Sequence, residues 1–69
     1  MNPVKQDLSN RKDDIEKELE ELFQSNMKRV DWDVPEADDQ KAAEILMDIL
    51  EKKLSEIKQD VADGKYKYY

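Results

Sequence analysis

The sequence predicts an all-α chain, an antiparallel two-helix hairpin that pairs with a second copy as a homodimeric four-helix bundle. Three observations carry that expectation. Between Ala42 and Val61 the apolar residues fall at 42, 43, 45, 46, 47, 49, 50, 54, 57 and 61. At about 100° per residue most of them share one helical face. Earlier in the chain Val4, Leu8, Ile15, Leu19, Leu22, Phe23 and Met27 are also spaced for a helix and not for a strand. The one strand-like stretch, Val30-Asp31-Trp32-Asp33-Val34, has no partner strand elsewhere in the 69 residues.

Taken in order, the chain reads as a single helical-hairpin domain over 1–69. The first helix is expected at about 3–29. Asn2 is a strong N-cap and Pro3 suits the first helical position, where its missing N–H would be unpaired anyway. Ser9 is a second candidate cap, so the helix is expected to be firm from about Ser9 and fraying over 3–8. Lys12 falls in a gap of the apolar stripe, with its stem along apolar surface and its ammonium in water. Asn26 interrupts the stripe. Lys28 and Arg29 are cations where a helix C-terminus favours them.

A linker is expected over 30–34, extended, with Trp32 folding back as a plug on the end of the hairpin. Burying that indole, the only Trp, would contribute about 2–3 kcal/mol by area. The competing reading makes Trp32 an anchor for a partner. The second helix is expected at about 35–63, opened by Pro35 and closed at Gly64, the natural residue for a positive φ just past a helix end. Residues 31–39 hold five acids (Asp31, Asp33, Glu36, Asp38, Asp39) and no base. They read either as caps and dipole partners of the second helix or as a recognition patch around Trp32.

The aromatic tail 64–69 alternates Tyr66 and Tyr68 with lysines and ends in Tyr69. Folding back along the first helix, dimer packing, contact with a partner, disorder and base stacking in nucleic acid are its open readings.

The apolar face of the second helix is wider than one neighbour covers. Leu46, Leu50, Ile57 and Val61 lie near its centre and Ile45 and Met47 on its shoulders, with Ile49 and Leu54 completing the set expected to self-associate. Leu46 and Ile57 do not hold a heptad with Leu50, Leu54 and Val61 over enough turns for a long parallel coiled coil, so a short bundle is expected. The layout resembles that of the Rop-type RNA-binding hairpin dimers. No motif matches residue by residue, and the resemblance implies nothing about function.

Composition removes most chemistry. The chain has no Cys and no His, hence no disulfide, no thiolate nucleophile and neither of the commonest ligands of transition metals. Asp31-x-Asp33 lacks the further oxygens, central Gly and twelfth-position Glu of a calcium loop. Adjacent carboxylates such as Asp13-Asp14 and Glu20-Glu21 point about 100° apart on a helix and do not converge. With Gly64 as its single Gly, the chain has no phosphate-cradling loop. No enzyme, cofactor or metal is expected. No apolar run approaches the roughly 20 residues of a membrane span, and the first ten residues have no apolar core of a secretory signal. A cytoplasmic protein is expected.

The net charge of −6 is unevenly spread: residues 1–30 carry six bases and seven acids, residues 31–63 four bases and eleven acids. An acidic second half disfavours binding to phosphate backbones or anionic membranes. It permits a basic, nucleic-acid-binding protein partner. The function expected is therefore that of a small acidic protein-binding regulator or inhibitor acting by occlusion. Its contacts would be Asp31, Trp32, Asp33, Glu36, Asp38, Asp39, Tyr66 and Tyr68, with the carboxylates standing in for nucleic-acid phosphates in one version. A chain of this size and composition suits an inhibitor of a host protein carried by a phage or mobile element. Two rival readings are a nucleic-acid-binding dimer using Lys12, Lys28, Arg29, Lys65 and Lys67, and a purely structural dimerisation module.

Overall fold

The structure, a computed structural model, describes residues 2–36 and 38–68, so expectations that touch Met1, Ala37 or Tyr69 lie outside the described residues. The described residues form three α-helices and no strand: α1 Pro3–Asn10, α2 Lys12–Asp33 and α3 Asp39–Ala62. They fall into two compact units, Met1–Pro35 and Glu36–Tyr69.

In the first unit the helix is formed from its first residue and not only from Ser9. The Asn2 side-chain oxygen accepts from the N–H groups of Val4 (3.0 Å) and Lys5 (3.3 Å), with Pro3 directly after the cap. The single helix expected over 3–29 is instead two. Arg11 leaves the helical region at φ −103°, ψ 6°, and its N–H is shared between the carbonyls of Asp7 and Leu8 at 3.2 Å each. The Arg11 guanidinium meanwhile donates back to Asp7 Oδ2 from Nε (3.3 Å) and Nη2 (3.1 Å). Those contacts tie Arg11 to the end of α1. α2 restarts with Asp13 and Asp14 in its first turn, where the helix dipole favours negative charge.

The linker also lies later than expected. α2 continues through Val30, Asp31 and Trp32 to Asp33, so these residues are helical and not extended. Val34 ends it at φ −134°, ψ 78°, while its N–H still donates to the Val30 carbonyl at 2.8 Å. The cause is Pro35, whose ring disfavours the helical region for the residue before it. Pro35 thus stops α2 and does not start the next helix.

That start falls to Asp38, whose Oδ1 accepts from the N–H of Gln40 (3.0 Å) and of Lys41 (3.2 Å). Replacing Asp38 by Ala is expected to cost about 0.5–2 kcal/mol of stability in urea unfolding, and Asp38→Asn close to nothing, because asparagine caps equally well.

The far end of α3 closes at Ala62, with Asp63 as the cap and Gly64 at φ +82°. Here Gly64 N–H donates to the Val61 carbonyl (3.1 Å) and Lys65 N–H to the Asp60 carbonyl (3.0 Å). This is the paired bonding of a Schellman cap, which satisfies carbonyls that a helix end leaves open. Lys65 Nζ adds an ion pair to Asp60 Oδ2 at 3.4 Å. A Cβ on Gly64 would meet nothing within 4 Å, so Gly64→Ala is expected to cost about 1–2 kcal/mol in thermal unfolding from backbone strain alone. A D-alanine there, made by chemical synthesis, should remove that cost.

No described residue is buried. The half-buried apolar residues are Phe23, Met27 and Val30 on α2 and Ala42, Ala43, Leu46 and Leu50 on α3. On α2 they recur at intervals of four and three, and on α3 Ala42 and Ala43 stand four and three residues before Leu46 with Leu50 four beyond, so each set lies on one stripe. Most of the remaining apolar surface faces water.

Candidate protein-binding surfaces

Two features stand out, one in each unit. The first is the end of α2. Trp32 is 85% exposed, so the indole does not fold back as a plug; it stands on the last helical turn with Asp31 and Asp33 on either side in sequence. The alternation of apolar and acidic residues over 30–34 resembles a linker in sequence. The helix converts it into three side chains fanned about 100° apart around one turn.

The two acids at that end work against the local electrostatics. A helix C-terminus carries partial negative charge and favours cations, by about 0.3–1 kcal/mol per charge, yet the last turn of α2 has no base. Arg29 offsets part of this through an ion pair to Asp33 at 3.7 Å. That pair is exposed on both sides, with 81% and 58% of each side chain accessible, and contributes little. Among the described residues Asp31 caps neither end of α2. The other three acids of the expected patch belong to the second unit. Asp38 caps α3, Asp39 lies in its first turn, and Glu36 is exposed in the turn before it. The dipole-and-cap reading therefore explains Asp38 and Asp39, and does not explain Asp31 and Asp33.

The second feature is the apolar face of α3. Ile45, Met47, Ile49, Leu54, Ile57 and Val61 all stand more than a third exposed, with Leu54 at 51% and Val61 at 59%. Leu46 and Leu50 are half-buried. Ala42 and Ala43, which the expected self-associating set leaves out, are half-buried as well. Their small side chains give weak hydropathy signals, but their spacing from Leu46 and Leu50 marks the same face.

The basic residues proposed for a nucleic-acid contact are mostly engaged by acids of their own unit. Lys12 pairs with Glu16 at 3.1 Å, Arg29 with Asp33 at 3.7 Å and Lys65 with Asp60 at 3.4 Å. Lys67 Nζ lies 5.5 Å from the centre of the Tyr68 ring, a cation–π contact. Such pairing reduces the free positive charge that a phosphate backbone would need. In the tail, residues 63–68 form turns after α3, with Tyr66 partly covered and Tyr68 90% exposed.

A shallow, open hollow runs along α1 and the start of α2, floored by Val4, Leu8 and Ile15. Its polar lining is Asn2, Lys5, Ser9, Lys12 and Glu16, of which Lys12 and Glu16 form an ion pair. Among the described residues no group of three or more His, Cys, Asp or Glu side chains is placed to hold a metal ion. No described helix is long and apolar enough to cross a membrane. Compared with protein-family models, with curated proteins and with solved structures, the chain finds no match.

Proposed function

We propose that the protein is a non-enzymatic binding protein: a hairpin of α2 against α3 that self-associates as a four-helix bundle and regulates a basic protein partner by occluding its binding surface. The observation that carries this reading is Trp32, 85% exposed between Asp31 and Asp33. A water-exposed indole on a firm helical turn is the residue type that dominates interface energetics. The flanking carboxylates, placed against the helix dipole, would gain from a cationic partner what they lose in the free protein. The exposed apolar residues of α3 support the self-association half of the reading.

The test is a tagged pull-down from lysate with nuclease added, comparing the wild type with the double variant Asp31→Asn, Asp33→Asn. The reading expects a protein held by the wild type after nuclease, lost from the double variant, and released as salt rises, since exposed charge pairs are screened within about 10 Å at 0.1 M. Capture that disappears with nuclease would move the assignment to nucleic acid. Capture by both forms alike, insensitive to salt, would remove the acidic end of α2 from the interface.

A further inference from the structure

The exposed apolar face of α3 has an internal order that the broad-face description hides. Counted from Ala43, the residues Ala43, Met47, Leu50, Leu54, Ile57 and Val61 follow one another at intervals of 4, 3, 4, 3 and 4. That is an uninterrupted seam of the kind that lets two helices pack knobs into holes. Leu46 is not a member of it but lies on its flank, and with Leu46 set aside Ile57 falls in register with Leu50, as Val61 does with Leu54. The seam runs for about 27 Å at 1.5 Å per residue. Four of its six side chains, Met47, Leu54, Ile57 and Val61, are exposed.

We infer that this seam is a two-fold interface with a second copy of the same chain, the two α3 helices running antiparallel. The inference rests on the self-association reading above and adds the face and the orientation. The first argument is self-complementarity. Around an axis at the level of residue 52, Ala43 faces Val61, Met47 faces Ile57 and Leu50 faces Leu54, so all six layers are apolar. The second is charge. Residues 39–51 carry four acids and one base, and residues 52–62 three bases and two acids. Antiparallel helices set each acidic half against the partner's basic half, whereas parallel helices set the acidic halves together. Opposed helix dipoles favour the same arrangement.

One flank carries complementary charge at its ends, while the other, Leu46, Lys53 and Asp60, does not. The first is Glu44, Glu51 and Lys58, so Glu44 meets Lys58 of the second copy twice over. At the axis Glu51 meets its own copy, and so does Lys53 on the other flank, where Glu56 of the same helix lies 3.5 Å from the Lys53 ammonium and offsets its charge. Parallel helices would instead place Lys53 beside Lys58 of the partner twice, with no Glu44–Lys58 contact to offset it.

The chain has no cysteine, which makes thiol mapping clean. Two single variants, Ala43→Cys and Val61→Cys, would be oxidised mildly, first separately and then mixed. The inference expects covalent dimer from the mixture and at least tenfold less from either variant alone. Efficient cross-linking of each variant to itself would overturn the antiparallel assignment and leave self-association standing. No cross-link in any sample, with a monomer in sedimentation, would remove both. A second series needs no thiols: Glu44→Lys and Lys58→Glu should each weaken association several-fold, and the double variant should restore it. Tighter association of either single variant would overturn the inference, because that is the parallel outcome.

Discussion

Leu54→Asp is expected to convert a cooperatively melting assembly into a largely unfolded monomer. In the single chain Leu54 is 51% exposed, and exposed surface substitutions usually shift stability by no more than about 0.5 kcal/mol. In the antiparallel seam the same side chain faces Leu50 of the second copy at the central layers. Removing a buried leucine side chain there costs about 2–5 kcal/mol per site, and each dimer contains two such sites. A carboxylate in that position must also be taken out of water with no cation beside it. Losses of that size exceed the margin of a chain this small. Circular dichroism melts of the wild type and the variant check it, and an unchanged melt would place Leu54 on an ordinary surface. Leu50→Ala belongs to the same test: already half-buried in the single chain, it should cost about 2–5 kcal/mol.

Trp32→Ala is expected to separate binding from folding. The indole is 85% exposed, so unfolding free energy should move by no more than about 0.5 kcal/mol. Affinity for the captured protein should fall by roughly thirtyfold or more, the 2 kcal/mol or greater expected of an interface hot spot. As the only Trp it reports on itself: in the free protein its fluorescence should be quenched by acrylamide about as readily as free tryptophan. Bound to the partner it should be protected. A loss of 2–3 kcal/mol of stability in the variant would instead return Trp32 to the role of a hydrophobic plug.

The features legible in the sequence were those set by one or two residues with strong local chemistry. Asn2-Pro3 marks the start of α1 and Gly64 the end of α3, because a side-chain cap and a positive φ leave few alternatives. The all-helical class followed from apolar spacing alone. Pro35 was legible as a boundary but not as to its kind: it can open one helix or end another, and Asp38, three residues on, decided the matter by offering the better cap. The break at Arg11 had no Gly or Pro to announce it. It depends on a shared N–H bond and a side-chain fork to Asp7, neither of which hydropathy records.

For the candidate surfaces the limits were similar. Trp32 was expected to fold back because burial of an indole is favourable wherever the chain allows it. Its place on the last turn of α2 withholds that burial. Asp31 and Asp33 looked like helix-opening acids and turned out to sit at a helix end, which reverses their electrostatic sense. The seam of α3 was fully present in the sequence, but Leu46 masked it, since a face drawn around the strongest apolar residues takes in a flank position and spoils the register.

The most direct test of the central claim, that the apolar face of α3 is an interface between copies, is sedimentation equilibrium of the unmodified protein over a range of concentrations. A dimer gives a mass of twice 8.2 kDa at the upper end, dissociation on dilution, and a melting temperature that rises with concentration. A mass of 8.2 kDa throughout, with a melt independent of concentration, would contradict it.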